Sequence, residues 1–300
     1  MTDHEHSTQV IYLGGLGRSG TTLLERLLGE LPGVTALGEV VHLWERGVLA
    51  GQPCGCGAPF PTCPFWRQVG ERAFGGWSAR LAERVLTLRR RVDRTRRVPR
   101  IAHPDLGDYV QVYRRLYAAT GARVVVDSSK HASLACCLAS GGIDVRVVQV
   151  VRDPRAVAHS WGRTVERPED GLPMTRWGPA RTALHWTAQN AALELLARRG
   201  VPVTTVRYED LLAAPGPALA ALGHELGLGE TAARLSFIDG RTAWLGPSHT
   251  VSGNPMRFQV GRVELRRDDS WATAMAGGDR RVVSLLTWPL RLRYGYRGAA

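Results

Sequence analysis

Apolar positions along this chain fall into alternating short and long-period runs. Val10–Leu13 is short, apolar and closed by Gly14-Gly15, which predicts a buried strand. In Thr21–Glu30, Leu23, Leu24, Leu27 and Leu28 then recur at helical spacing. Arg123–Asp127, Asp144–Val151 and Val201–Val206 are again apolar and β-branched and predict further strands. Helical periods cover Ala79–Val92, Asp108–Ala119, His131–Leu138, Arg155–Arg163, Ala180–Arg199, Pro215–Leu226 and Asp279–Leu286. Pro154 suits a first helical turn, where its missing N–H costs nothing. Val48–Gly76 has no period and is rich in Gly, Pro, Cys and aromatic residues, so it predicts an irregular excursion on the acceptor side of a site. Asp239–Asp268 lacks a strong period too, yet keeps Trp244, Met256 and Phe258, which predicts an ordered loop. Alternating strands and helices imply a mainly parallel sheet with ligands at the strands' carboxyl ends.

Three hundred residues, 44% of them hydrophobic, suffice for one domain with its own core, and no linker divides residues 1–300. Residues 1–9 are polar, expected to be flexible, and unlike a secretory signal. No apolar run reaches the roughly 18 residues of a membrane span, so a cytoplasmic protein without integral membrane contact is expected. The formal charge of +12 raises nucleic acid as a partner. Its make-up argues against one: of 39 basic residues only Lys130 is lysine, a ratio that looks like a GC-rich coding habit. The densest run, Arg89, Arg90, Arg91, Arg94, Arg96, Arg97 and Arg100, falls on a predicted helix and its exit and reads as a solvated face.

The five cysteines are odd in number and include the tandem Cys136-Cys137, which argues against a disulfide framework. Cys54-x-Cys56 and Cys63 offer metal ligands if one more joins, with His42 a candidate. The spacing matches no common zinc pattern, so reduced thiols in an irregular loop are expected and no metal is assigned.

Candidate chemistry begins at Gly15-Leu16-Gly17-Arg18-Ser19-Gly20-Thr21-Thr22, between the first strand and the first helix and nearly at Walker A spacing. Its glycines let backbone N–H groups turn inward, and the helix start presents a positive dipole end. Thr21 and Thr22 add hydroxyl donors and Arg18 a cationic fork. The fold class expected is α/β: a P-loop NTPase-like, three-layer arrangement with a central, mainly parallel sheet flanked by helices. Thr21 stands where an NTPase has lysine. Its absence favours a 5′-phosphosulfate over a triphosphate, because the transferring sulfonyl bears less charge and needs no lysine–Mg²⁺ clamp.

This loop resembles that of the sulfotransferases that use 3′-phosphoadenosine 5′-phosphosulfate (PAPS), especially the branch containing the tyrosylprotein sulfotransferases. The resemblance assigns Arg18, Ser19, Gly20, Thr21 and Thr22 to the 5′-phosphosulfate. It extends to Gly38-Glu39 at the branch's spacing from Arg18, which implies that Glu39 takes the acceptor's proton. Val148–Ser160 resembles the family's 3′-phosphate motif, a strand ending in Arg with Ser eight residues on. Arg152 then leaves the strand end, and Ser160 lies two helical turns along, near the same face. Val206–Leu211 is similar to the family's Tyr-Glu-x-Leu segment, whose tyrosine, here Tyr208, approaches the co-substrate; a half-buried tyrosine at a strand end is the plainer alternative. Ser248–Phe258 lies where the family has a closing loop, but its wording departs from the family's. Ser252 and Arg257 are therefore assigned by position, and Arg163 stands one place from a further family arginine.

Lys130 also stands on its own. A lone lysine in an arginine-rich chain marks a place that needs a compact, mobile ammonium. It follows a strand through Ser128-Ser129 and so projects at the sheet's carboxyl edge, where the resemblance implies a lysine supporting the transferring group. An ion pair with Asp127 is the alternative. The expected reaction is sulfonate transfer from PAPS to an acceptor hydroxyl without metal, with Glu39 as base and His42 the other candidate. The acceptor is expected to be a small molecule, glycan, lipid or natural product. One rival is a P-loop small-molecule kinase, since Val124–Asp127 resembles a Walker B strand whose Asp127 would hold Mg²⁺. Thr21 and the Arg152–Ser160 pair count against it. Another is a polyanion or membrane-surface binder built on the charge and on Leu285–Tyr296, which leaves the Gly-rich loop unexplained.

Overall fold

The computed structural model describes residues 8–98, 102–166, 171–229 and 235–298. Strands β1 (Gln9–Gly14), β2 (Val34–Gly38), β3 (Val124–Lys130), β4 (Val145–Val151) and β5 (Val203–Arg207) form a parallel sheet in the order β2-β3-β1-β4-β5. Central β1 pairs on both sides and is buried from Val10 onward, which is why its sequence is continuously apolar rather than alternating.

The two-residue pleat sends its side chains into two separate cores. Ile11, Leu13, Val126, Val148 and Val150 pack with Leu24, Leu27 and Leu28 of α1 (Thr21–Gly29) and Leu219 and Leu222 of α8 (Pro215–Glu225). Val10, Tyr12, Val125, Val145 and Val147 pack on the other face. Their neighbours there are Tyr113 and Tyr117 of α4 (Leu106–Ala119), Leu134 of α5 (Ala132–Ser140) and Leu193 of α7 (Pro179–Arg198). Helices on both faces of one parallel sheet make the expected three-layer α/β fold.

Three expectations change. The irregular excursion contains a helix, α2 (Pro64–Phe74), opened by Pro64 in its first turn. The stretch expected to be a loop carries an antiparallel sheet of β6 (Ile238–Asp239), β7 (Thr242–Leu245) and β8 (Gly261–Glu264). Strand β2 was not expected at all, because the five residues Val34-Thr35-Ala36-Leu37-Gly38 are too few to show a period. At the amino end, Gln9 already belongs to β1, while residues 1–7 lie outside the described residues. Of the basic run, Arg90 and Arg91 on α3 (Ala79–Val92) are exposed, but Arg89 is half-buried and donates to the Val41 carbonyl at 3.1 Å. Arg100 lies outside the described residues. Among the described residues, no helix is long and apolar enough to cross a membrane.

Leu27 is fully buried between α1 and the sheet. Leu27→Ala is expected to cost about 2–5 kcal/mol of unfolding free energy, seen as a lower urea midpoint at unchanged slope.

Candidate active site

At the carboxyl end of β1 the chain turns through Gly15 into the phosphate-type loop and enters α1 at Thr21. Gly20 caps this helix at φ 94° without a side-chain cap, so the first N–H groups of α1 face the loop's hollow. The loop is fastened from outside. Ser19 N–H donates to the Leu16 carbonyl at 3.2 Å, Gly15 N–H to the Lys130 carbonyl at 3.3 Å, and the Trp161 indole to the Gly17 carbonyl at 2.8 Å.

Gly20 has no room for a side chain, because a Cβ there would overlap the Tyr208 ring. Over that ring, 4.8 Å from its centroid, lies the Arg152 guanidinium. It donates to the carbonyl oxygens of Arg18 and Asp268, each at 3.2 Å. The structure thus brings together Arg18, Gly20, Arg152 and Tyr208, four residues from three distant segments. Ser160 is half-buried on α6 (Pro154–Gly162), and Arg163 just beyond pairs with Asp268 at 3.4 Å.

Glu39 follows β2 and Lys130 ends β3. These strands are neighbours, so the two side chains meet: the Lys130 ammonium donates to Glu39 Oε1. The other Glu39 oxygen is 3.7 Å from His42 Nε2. Burial alone would raise the Glu39 carboxyl, but the Lys130 ammonium, with Arg46 beyond it, outweighs burial and holds it below the usual carboxylate value. Glu39 is therefore ionised at neutral pH. Burial pushes His42 down to about 3, so its ring is neutral there.

Asp127 has another role. It is fully buried, with Oδ1 accepting from Ser129 N–H at 2.8 Å and Ser129 O–H at 2.5 Å, and Oδ2 accepting from Tyr117 at 2.6 Å. Burial raises its carboxyl to about 6. Both oxygens are engaged, and Lys130 pairs with Glu39 rather than with Asp127.

The loop after β7 closes over Glu39. Glu39 N–H donates to the Val251 carbonyl at 2.8 Å, and Val251 N–H to the Leu37 carbonyl at 2.9 Å. This close approach requires Gly38, at φ 86°, because a Cβ would overlap the Val251 backbone. Ser252 accepts from Arg46 at 2.7 Å. Arg257 takes a framework position: fully buried, it donates to the carbonyls of Pro53 at 2.9 Å and Thr250 at 3.0 Å, and its cation lies 4.0 Å from the centre of the Phe258 ring. Among the described residues, the non-glycine positions with left-handed backbone are Arg18 (φ 72°), Lys130 (φ 71°) and Ser252 (φ 57°). Each belongs to this site, and such conformations gather where function demands them.

Sequence reasoning missed Glu25. Wholly buried on α1, it accepts from Gly38 N–H at 2.5 Å and has Ser128 Oγ 2.8 Å from its other oxygen. Burial raises its carboxyl to about 8. The available signal was an acid inside the leucine-rich stripe of Thr21–Leu28. Beside Lys130, a cavity of about 440 Å³ is lined by Glu45, Arg89, Arg90, Asp93 and by His131, the residue after Lys130.

No protein-family model matches the chain, and no curated protein matches it in sequence. Among solved structures it matches the sulfotransferase domain of the olefin synthase from Synechococcus PCC 7002, with 19% identity and a TM-score of 0.58 over 99% of this chain and 98% of that one. Two mycobacterial sulfotransferases align too loosely to define a shared fold. STF1 from Mycobacterium tuberculosis H37Rv has 20% identity and a TM-score of 0.44 over 76% of this chain and 70% of its own. STF9 from Mycobacterium avium has 16% identity and a TM-score of 0.43 over 76% and 67%. The chain thus has the α/β fold of the olefin synthase's sulfotransferase domain, along almost the whole of both chains.

Because Glu25 holds its proton longer when folded than when unfolded, its stabilising contribution is complete below its ordinary value of 4.5 and is lost as pH rises through about 8. Asp127 acts with the same sign between 3.8 and about 6. Glu25→Gln, which mimics the protonated acid, is expected to flatten the fall in stability between pH 6 and 8 relative to the wild type, measured by urea unfolding across that range.

Proposed function

We propose that this protein transfers a sulfonate group from PAPS to an acceptor hydroxyl, with Glu39 as general base and Lys130 supporting the transferring group. The observation that carries this reading is the Lys130–Glu39 ion pair at the mouth of the glycine-rich loop, where base and cation are already in contact.

The residues fit the co-substrate. The loop's glycines leave its hollow to an anion, and the uncapped start of α1, Thr21, Thr22 and the Arg18 fork supply donors to a 5′-phosphosulfate. Arg152 and Ser160 suit a 3′-phosphate, and Tyr208 gives the nucleotide a ring to lie against. Ser252 sits in the covering loop, while Arg257 holds that loop's frame. A kinase would need a cation-binding carboxylate, and Asp127 has none of its oxygens to spare.

PAPS, when bound, supplies an activated sulfonyl on a phosphate leaving group. Glu39 accepts the acceptor's proton as the oxygen–sulfur bond forms. The sulfur–oxygen bond to the 5′-phosphate breaks, and its electron pair stays on the phosphate. Lys130 turns its ammonium from Glu39 to the transferring group and supports the charge there. This exchange also makes Glu39 a better base, since it removes the strongest influence opposing its burial. We seat the acceptor in the cleft beside His131 and read it as a small-molecule, glycan, lipid or natural-product hydroxyl.

In metal-free buffer, 3′-phosphoadenosine 5′-phosphate is expected to raise the melting midpoint where ATP and AMP do not, and Arg152→Ala to abolish the rise. Stabilisation by ATP with Mg²⁺ alone would sink the proposal. Glu39→Gln is expected to lower kcat about 10²–10⁴-fold, measured as nucleotide release against an acceptor panel, without weakening the bisphosphate's thermal shift.

A further inference from the structure

Three cysteines and a histidine that the reaction does not use converge on one point. Cys54, Cys56 and Cys63 precede α2, and His249 comes from the loop after β7. Cys63 Sγ lies 3.3 Å from His249 Nδ1, Cys54 Sγ 3.7 Å from the same nitrogen, and Cys56 Sγ 3.9 Å from Cys63 Sγ. All four donor atoms fall within 4.8 Å of one another. A tetrahedral zinc, with bonds of about 2.3 Å to sulfur and about 2.0–2.1 Å to nitrogen, sets its sulfurs about 3.8 Å apart and each sulfur about 3.6 Å from the nitrogen. A disulfide would need about 2.05 Å and would leave a third thiol over, and all three cysteines are free.

The surroundings hold these groups in place. Cys54 N–H donates to the Ala58 carbonyl at 2.8 Å, Gly57 N–H to the Cys54 carbonyl at 2.8 Å, and Cys63 N–H to the Pro59 carbonyl at 3.0 Å, which folds the thiols into one tight turn. His249 is fixed on both sides. Phe65 stacks on its ring at 4.9 Å and 11°, and its carbonyl accepts from the Trp66 indole at 2.8 Å. Between the first two cysteines only glycine fits: a Cβ on Gly55 would come within 2.6 Å of Thr250 Oγ1 and 2.7 Å of Ser248 Oγ.

We propose that Cys54, Cys56, Cys63 and His249 Nδ1 bind one zinc ion in a closed, structural site. Three thiolates and one imidazole select zinc over hard cations, and four protein ligands leave no position for substrate. On binding, the three thiols release their protons to solvent and the imidazole gives a nitrogen lone pair. Zinc stays divalent, and the site carries one net negative charge. His42, the ligand that sequence spacing offered, turns to Glu39 instead. The ion clasps the excursion to the segment that two residues later pairs with β2 beside Glu39. The metal thereby sets the wall of the active site without entering the chemistry.

Elemental analysis of the full chain, purified without chelators or metal-affinity resin, is expected to find about one zinc per chain. Exchange with Co²⁺ should give the intense visible bands and near-ultraviolet sulfur-to-metal band of a tetrahedral thiolate site. Loss of an outer partner alone costs about 10–100-fold in metal affinity, so His249→Ala should lower zinc affinity at least that far, read by chelator competition, and depress the melting midpoint. His249→Cys should restore both, which a histidine that merely fills space would not allow. The double variant Cys136→Ala/Cys137→Ala should keep its zinc. The proposal is overturned if the wild type contains no zinc and takes up neither added Zn²⁺ nor Co²⁺, if the cobalt spectrum is octahedral, or if His249→Ala keeps the wild-type zinc affinity. Should His249→Ala fail to fold, the wild-type stoichiometry and cobalt spectrum decide alone.

Discussion

Three chain segments that carry the proposed reacting groups meet on one buried carboxyl, that of Glu25. It sits on α1, one turn behind the phosphate-type loop, and engages Gly38 N–H beside Glu39 and the Ser128 hydroxyl two residues before Lys130. A polar group without solvent must find partners or cost the fold several kcal/mol. Here the partners belong to β2 and β3, so satisfying Glu25 also sets α1 in register with both strand ends. Asp127 does the same from the other face of the sheet, joining Ser129 to Tyr117 of α4. Two buried acids thus fix the distance between the glycine-rich loop and the Lys130–Glu39 pair.

That framework sustains backbone strain where the site requires it. Left-handed Arg18, Lys130 and Ser252 each cost about 1–3 kcal/mol, and each is held from a second direction. Arg152 grips the Arg18 carbonyl, Gly15 N–H and the Gln189 amide grip that of Lys130, and Arg46 holds the Ser252 hydroxyl. The clamps come from other segments in every case. The strained conformations are therefore a property of the assembled sheet edge and not of the local peptides.

This also explains how far the sequence could be read. The interior strands and the long helices declared themselves, because burial on both faces leaves a continuous apolar run and burial on one face leaves a period. The Gly-rich loop, Arg152 and Tyr208 were legible as separate motifs, and they converge. Lys130 stood out by being the lone lysine. Strand β2 was missed because five residues carry little pattern, and α2 because turn formers precede it. Glu25 and His249 were illegible for a different reason. Their roles depend on groups 13 and 103 residues away for Glu25 and 186 for the Cys63–His249 pair, and no local period records such meetings. Arg257 was assigned by position alone, and the structure shows it donating to the Pro53 and Thr250 carbonyls of the loop's frame.

The division of labour between the two basic residue types follows from the same geometry. Arginine presents several donors in a rigid fork and so suits contacts that persist. Arg26 joins the Gly246 and Arg257 carbonyls at 2.5 and 2.6 Å, Arg155 forks onto both oxygens of Asp153, and Arg257 ties Pro53 to Thr250. Lys130 has the opposite task in the proposed reaction, since it must leave Glu39 for the transferring group and return. An arginine there would hold the Glu39 carboxylate through two parallel bonds and keep the base weak. A single ammonium on a flexible stem makes one contact and can exchange it. The chain's one departure from arginine falls where the proposed chemistry asks a cation to change partners.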